Sequence, residues 1–431
     1  MQKTKMSPKF WAALTIFSLI GQVAWVVENM YFNVFIYKMF HASAQAISTM
    51  VGASAAAATI TTLLIGALSD KIGKRKLFIC SGYILWGISI FSFSLIRTDI
   101  IHSLFPMAAS AASIGVSLVI IMDCVMTFFG SAANDACFNA WVTDVTDETN
   151  RGAAEGINSM MPLVAILVVF GGFMSFNLDL EESWIIIFRI IGIVVLLLGV
   201  LGFALIQDCP VDTSENQNYF ANIFYGFRPG VMKENKMFYI ALVAFAVFNI
   251  SIQTYMPYLI LYYNVSLKLD NYVLIMAPAV IVAAIVTAFY GRVYDRLHFK
   301  KSIIPSIGML MLGYVLLYAF TNTAIVFVGS LFMMSGYLTG MAVFGAMLRE
   351  QTPENKTGMF QGLRIFGQVL IPGIIGPAIG AEVLKNAEQI LNDDGTYSFI
   401  PNHNIFLAAL IVAVVLWFVL FYVFRMLKGD K

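Results

Sequence analysis

The chain has 431 residues, of which 59% are hydrophobic and only 12% are charged, and its mean hydropathy is +0.81. Soluble globular proteins carry about 25% charged residues, so this composition excludes a water-exposed globular surface and indicates a surface that faces lipid. The net charge of +1 gives no reason to expect a nucleic-acid partner. No CxxC pair occurs among the four cysteines, so neither a zinc site nor a disulfide framework is expected.

Twelve apolar segments are long enough to cross a bilayer as helices, which takes about 20 residues. In chain order they are 10–37, 47–68, 77–96, 116–142, 157–176, 184–206, 238–263, 272–290, 302–320, 324–348, 359–381 and 405–426. The first is too long for the core of a cleaved signal peptide, so we expect it to be retained. Residues 97–115 are ambiguous, because they fit either an external loop with a short helix or an early start of the fourth span.

Lysine and arginine are distributed unequally between the two sides of the predicted membrane. If the N-terminus is cytoplasmic, the cytoplasmic loops outnumber the external loops in these residues by about five to one. Omitting one span would move every later loop to the other side and remove this bias. The sequence therefore predicts a multi-pass protein of the cell membrane with both termini in the cytoplasm.

The chain divides into two halves that repeat one another. We predict a six-helix bundle over 1–206, a cytoplasmic linker over 207–237 and a second six-helix bundle over 238–431. Two loop sequences recur at equivalent places in the halves: GALSDKIGKRK (Gly66–Lys76) as GRVYDRLHFKK (Gly291–Lys301), and TDETNRGAAEG (Thr146–Gly156) as TPENKTGMFQG (Thr352–Gly362). The predicted fold is an all-α membrane protein of twelve helices in two pseudo-symmetric bundles, with a binding site at the midplane between them.

The first of these loops resembles the G-x-x-x-D-[RK]-x-G-[RK]-[RK] motif of the major facilitator superfamily. That resemblance implies that Asp70 lies against the N-terminus of the eleventh helix and helps to hold the bundles together on the cytoplasmic side. The alternative is an ordinary basic loop next to the membrane, which the second copy disfavours. The predicted gating residues are Asp70, Gly73, Lys74, Arg75, Asp295 and Arg296.

A second segment, Asn134–Gly152, looks like the fourth helix of the glycoside–pentoside–hexuronide:cation symporters. Asp135, Phe138, Ala140 and Arg151 occupy the matching places. The resemblance implies that Asp135 binds a sugar. Sodium-coupled members carry paired carboxylates in the second span, whereas the second span here has no acidic residue, so we expect coupling to protons rather than to sodium.

Few ionisable residues lie within the predicted spans. Glu28, Asp123 and Asp135 are the clear acids, and Arg364 is the one deep base. A charge at mid-membrane costs about 2.5–3.5 kcal/mol, so such residues usually face water or a partner. We predict that Glu28, Asp123 or Asp135 carries the coupling proton. The structural alternative is a protonated carboxyl group hydrogen-bonded between helices.

Polar residues also recur at helical spacing in several spans. Amides donate and accept hydrogen bonds, which suits a solute with many hydroxyl groups, although interhelical hydrogen bonds produce the same pattern. The predicted solute-binding residues are Asp135, Gln22, Trp25, Asn29, Asn139, Gln253, Arg364 and Gln368.

Motifs for catalysis are missing from the sequence, which contains neither a P-loop nor an HExxH pair. We therefore expect no enzyme activity, no cofactor and no ATP-driven transport. The prediction is a monomeric secondary active transporter that moves a small solute, with a sugar or glycoside favoured, by alternating access coupled to protons. An efflux or lysolipid transporter of the same fold, a non-transporting membrane sensor and a channel are the alternatives. The sequence leaves the solute and the direction of transport open.

Overall fold

The computed structural model describes residues 6–106, 110–147, 149–207, 225–269, 271–352, 357–392 and 395–429. Eleven helical stretches in this part of the chain are long and apolar enough to cross a membrane. They are Pro8–Phe40, Ala44–Ile72, Arg75–Leu95, Ala111–Val145, Arg151–Phe173, Glu181–Leu205, Lys236–Ser266, Val273–Ala319, Thr323–Glu350, Gly362–Leu384 and Asn404–Leu427.

The stretch Val273–Ala319 contains two spans. Its 47 residues would extend about 70 Å as one straight helix, more than twice the hydrocarbon thickness of about 30 Å. The backbone leaves the helical conformation at His298 (φ 55°, ψ 179°), within the second basic loop. Counting this stretch as the eighth and ninth spans gives twelve. The predicted all-α, twelve-helix fold is confirmed.

Smaller elements complete the described part of the chain. A short helix, Thr98–Leu104, precedes the fourth span, which begins at Ala111, so the segment 97–115 contains both the short helix and an early start of the fourth span. Another short helix covers Pro229–Glu234. Strands Gln389–Leu391 and Tyr397–Phe399 pair antiparallel in a hairpin between the last two spans.

The chain separates into two compact units. The first comprises Met1–Ala42 and Ala53–Phe220, and the second comprises Ser43–Gly52 and Ala221–Lys431. Residues 208–224 of the predicted linker lie outside the described residues. The predicted boundaries at 206 and 238 therefore stay predictions.

Glycine allows close helix contacts within each unit. A Cβ atom at Gly87 of the third span would lie 2.4 Å from the backbone nitrogen of Leu196 in the sixth span. In the second unit, a Cβ atom at Gly336 of the tenth span would lie 2.3 Å from the backbone nitrogen of Leu310 in the ninth span. Helices in lipid associate through such close packing, because apolar side chains gain little by leaving hydrocarbon.

The two basic loops turn at the same position of the repeat. Gly73 has a φ of 69°, and its backbone nitrogen donates to the Ser69 carbonyl at the end of the second span. In the aligned sequences, His298 occupies the position of Gly73, and its φ is 55°. Glycine adopts this backbone region freely, whereas a side chain is strained there. The repeat is thus visible in the backbone as well as in the sequence.

We expect His298→Gly to raise the free energy of unfolding by about 1 kcal/mol, because it relieves this strain. Gly73→Ala is expected to lower it by about 1 kcal/mol or more. Thermal unfolding of the purified protein in detergent measures both. The control is His102→Gly in the helix Thr98–Leu104, which should lower stability because glycine weakens a helix. A lower melting temperature for His298→Gly would contradict the prediction.

Candidate functional site

Three of the predicted site residues lie in π-helical segments, where the chain inserts an extra residue into a turn. Glu28 lies in Val27–Tyr31 of the first span, and Asp135 lies in Ser131–Phe138 of the fourth. Gln368 lies in Phe366–Leu370 of the eleventh. Such segments are rare and often mark functional sites, because they re-aim side chains and leave backbone groups less completely bonded.

Glu28 forms a buried polar cluster in the first unit. Its side chain is 7% exposed. The hydroxyl groups of Ser54 in the second span and Thr127 in the fourth both lie 2.7 Å from Glu28 Oε1, and they lie 2.9 Å from each other. The cluster therefore joins three spans through one carboxyl oxygen.

The three oxygens of this cluster make three contacts at hydrogen-bond distance. Each hydroxyl carries one proton, so an ionised Glu28 leaves one of the three contacts without a hydrogen. A proton on Glu28 Oε1 supplies the third hydrogen and closes a ring, in which Glu28 donates to Ser54, Ser54 to Thr127 and Thr127 back to Glu28.

Asp123 lies one helical turn before Thr127 and is 1% exposed. Its carboxyl group is close enough to Glu28 to interact with it electrostatically. Asp123 Oδ1 and Glu28 Oε2 are buried, and neither has a hydrogen-bond partner in the described part of the chain. Buried oxygens without a partner are costly, and a proton on either carboxyl group would lower that cost.

Asp135 is held by a chain of hydrogen bonds within the first unit. Ser131 Oγ donates to Asp135 Oδ2 at 3.1 Å, and Asn134 Nδ2 donates to Oδ1 at 3.2 Å. Asn134 Oδ1 accepts in turn from the Tyr83 hydroxyl at 2.9 Å. A Cβ atom at Gly21 would lie 2.7 Å from both Tyr83 Oη and Asn134 Oδ1, so glycine makes room for the chain.

The other predicted solute-binding residues of the first unit have varied surroundings. Trp25 Nε1 is buried and interacts with the Asp135 carboxyl group, and its ring lies 5.1 Å from that of Trp86. Gln22 is half-buried, whereas Asn29 and Asn139 are exposed. Both asparagines donate to a carbonyl of their own helix, those of Trp25 and Asp135.

The remaining three predicted solute-binding residues, Gln253, Arg364 and Gln368, lie in the second unit. Gln253 is half-buried and packs against Gly376. A Cβ atom added at Gly376 would lie 2.5 Å from the Cβ atom of Gln253. The half-buried guanidinium of Arg364 lies 5.7 Å from the ring centre of Phe245. Gln368 is half-buried one turn later in the same helix. Arg364 also lines a cavity of about 530 Å³, together with Tyr294, Asp295, Met341, Ala342, Gly345, Ala346, Arg349 and Glu350.

The predicted gating loop of the first unit forms an ion-pair network around Arg75, which is 4% exposed. Arg75 binds Asp70, its Nε lies 3.0 Å from Asp144 Oδ2, and its Nη1 lies 2.5 Å from Ser69 Oγ. Lys74 is exposed and precedes the third span, and in the other loop Asp295 and Arg296 are exposed as well. The gating role of these residues stays a prediction.

Several residues of these clusters were missed by the sequence reasoning. Ser54 and Tyr83 are polar residues within apolar segments, and only their interhelical contacts distinguish them from ordinary packing. Asp144 could have been found, because it lies two residues before the repeated loop that begins at Thr146. No group of three or more His, Cys, Asp or Glu side chains that could hold a metal ion occurs among the described residues.

Comparison with models of protein families shows the family to which the chain belongs. The family model of the Major Facilitator Superfamily matches residues 11–377. The chain belongs to this superfamily. Membership, together with the twelve spans, makes it a multi-pass membrane transporter rather than an enzyme. No curated protein sequence matches the chain.

Solved structures show the same fold. A mutant of the nucleoside transporter NupG superposes with a TM-score of 0.72 at 13% identity, over 96% of this chain and 99% of that one. A bacterial homologue of the human lysosomal transporter Spinster gives 0.71 at 16% identity, over 99% of each chain. A D-xylose-proton symporter gives 0.69 at 13% identity, over 95% of this chain and 97% of that one. At these identities the likeness concerns the fold alone.

We expect Arg75→Gln to lower the free energy of unfolding by about 3 kcal/mol, because it leaves Asp70 and Asp144 without their buried counter-ion. Chemical denaturation of the detergent-solubilised protein measures the loss. The matched control is Arg97→Gln, which removes the partly exposed ion pairs with Asp99 and Glu181 and should cost about 1 kcal/mol or less. Equal losses in the two variants would contradict the prediction.

Proposed function

We propose that this transporter is a proton-coupled symporter of a small polar solute, with a sugar or glycoside favoured, working by alternating access in the cell membrane. The observation that carries the proposal is the buried Glu28 cluster with Ser54 and Thr127. The nearby Asp135, with its hydrogen-bonded support, is the proposed solute ligand. The proposed protein is a monomer with both termini in the cytoplasm.

The proton is assigned to Glu28 by the hydrogen count of its cluster. A protonated Glu28 satisfies all three oxygen contacts, and loss of the proton leaves one of them unsatisfied. Because these contacts join the first, second and fourth spans, the protonation state of Glu28 changes how firmly the spans are tied together. Asp123, which interacts with Glu28, is the proposed second member of the coupling site.

The preference for a sugar rests on Asp135 and its neighbours. A carboxylate whose lone pairs are only partly used by Ser131 and Asn134 can still accept hydrogen bonds from solute hydroxyl groups. Trp25 offers an aromatic face and a buried Nε1 that interacts with Asp135 in the first unit, and Gln22 adds an amide. The resemblance of the segment around Asp135 to the glycoside–pentoside–hexuronide:cation symporters supports the same choice.

Sodium is the second candidate for the coupling ion. Two carboxyl groups and two hydroxyl groups, with Glu28 Oε2 and Asp123 Oδ1 lacking partners among the described residues, form an oxygen-only set of the kind that hard metal cations prefer. Ion replacement separates the two candidates. Accumulation that needs sodium and is indifferent to a pH gradient would favour sodium.

We propose that the loop Gly66–Lys76 and its repeat Gly291–Lys301 form the cytoplasmic gate. The ion-pair network around Arg75 supports the role, because it holds the first loop in a defined shape. We propose that Asp70, Gly73, Lys74 and Arg75 act in one loop and that Asp295 and Arg296 act in the other.

Uptake by purified protein in liposomes tests the proposed function. With an acidic exterior, labelled sugar should accumulate and a pH dye in the lumen should report acidification. Glu28→Gln should abolish accumulation driven by the pH gradient, because the glutamine side chain carries no titrating proton. Exchange of sugar across the membrane should persist in this variant. Asp135→Asn should abolish both. Asp179→Asn is the control, because this exposed acid lies in an external pair with Lys38.

Each rival predicts a different result in the same liposomes. Normal gradient-driven accumulation by both Glu28→Gln and Asp135→Asn would show that the site assignment is wrong. Flux of lysolipids without sugar uptake would favour the lipid transporter, and saturable binding without any flux would favour the sensor. Flux without saturation or counterflow would favour the channel.

A further inference from the structure

Arg364 is a half-buried cation. It has no acidic partner in the part of the chain that the structure describes. Its contact is the ring of Phe245, 5.7 Å from the guanidinium carbon. Arg364 Nε is buried and donates to no partner among the described residues. Gly345 leaves space for the guanidinium, since a Cβ atom there would lie 3.3 Å from Arg364 Nη2. The side chain is therefore held in place by packing while its hydrogen-bond donors stay available.

The equivalent position in the first unit is occupied very differently. Extending the alignment of the second repeated loop by two residues pairs Arg364 with Asn158. Asn158 Oδ1 accepts from Ser18 at 2.8 Å, and Asn158 Nδ2 donates to Asn139 at 3.4 Å. A neutral amide with partners thus stands where the second unit has a cation with none. Helix packing explains the asparagine, but it does not explain the arginine.

A guanidinium group in a membrane span needs an explanation because it is always charged and its desolvation is costly. Arg364 lines the cavity of about 530 Å³ in the second unit, so there is room for a ligand beside its guanidinium group. Asp295 and Glu350 also line this cavity, but both are exposed and neither lies within ion-pair distance of Arg364. The Nε side of the guanidinium offers two parallel donors, the geometry that matches a carboxylate.

We infer that the transported solute carries an anionic group, and that Arg364 binds its carboxylate through paired hydrogen bonds. This inference rests on the proposed function, and it narrows the solute from sugars and glycosides in general to organic anions such as sugar acids. Arg364 is then the residue that distinguishes an acid from the neutral compound of the same shape.

Matched pairs of probes test the inference. Binding of glucuronate and glucose, and of galacturonate and galactose, is measured by thermal shift and equilibrium binding on the purified full-length protein. We expect the wild type to prefer the acid of at least one pair by about tenfold or more, as charge-assisted hydrogen bonds give. Arg364→Gln should remove this preference, so that the acid and the neutral sugar of each pair bind with similar affinity.

Two further variants keep the test decisive. Arg364→Lys keeps the charge but loses the planar fork, so it should bind the acid more weakly than the wild type even if Arg364→Gln fails to fold. Arg189→Gln is the control, because Arg189 also lies in a span beside an aromatic ring, 6.0 Å from Phe91, and should bind the probes as the wild type does. A wild type that prefers neither acid, or an unchanged preference in both Arg364 variants, would overturn the inference.

The outcomes separate this inference from the proposed function. Proton-coupled uptake of neutral sugars by a wild type that prefers neither acid would overturn the inference and leave the proposed function intact. Binding of acids that depends on Arg364, without any proton movement on uptake, would overturn proton coupling and leave the inference intact.

Discussion

Polar groups inside hydrocarbon must find hydrogen-bond partners within the protein, and most of this structure follows from that constraint. Water is not available there to bond the backbone, so the spans are helical throughout. The few polar side chains obey the same rule. Ser54 and Thr127 bond to Glu28, and Tyr83 bonds to Asn134, which supports Asp135. The atoms that depart from the rule therefore carry information about function.

In the described part of the chain, such departures occur at Trp, Tyr, Asn, Ser and Thr side chains and also at three charged residues of the spans. Glu28 Oε2, Asp123 Oδ1 and Arg364 Nε are buried and lack partners among the described residues. Each belongs to a group that can bind a proton, a cation or an anion. Glu28 also lies in a π-helical segment, where the regular helix is interrupted. A protein selected only for stability would satisfy these atoms or replace them with apolar ones, so their presence supports a role in binding.

The internal repeat shows how one ancestral pattern serves two purposes. Both basic loops turn at the same place, with Gly73 in one and His298 in the other. Arg75 of the first loop pairs with Asp70 of the same loop and with Asp144 at the end of the fourth span. In the second unit the aligned residues Asp295 and Glu350 line a cavity instead, and the residue aligned with Arg75, Lys300, lies 5.5 Å from the ring centre of Phe424. The shared sequence pattern thus survives where the contacts differ.

The sequence alone determined the class, the number of spans, the repeat and the ionisable residues, because length, hydropathy and charge distribution are properties of the chain that the bilayer reads directly. The sequence also identified Asp135 and Arg364 as ionisable residues within the spans. Tertiary structure decided which residues meet: that Glu28 bonds to Ser54 and Thr127, that Tyr83 supports Asp135 through Asn134, and that Arg364 lies beside the ring of Phe245. These contacts join residues of different helices, and helical periodicity within one span carries no information about which residue of another span lies opposite. The π-helical segments were likewise invisible, since they depend on how neighbouring helices pack and not on local propensity.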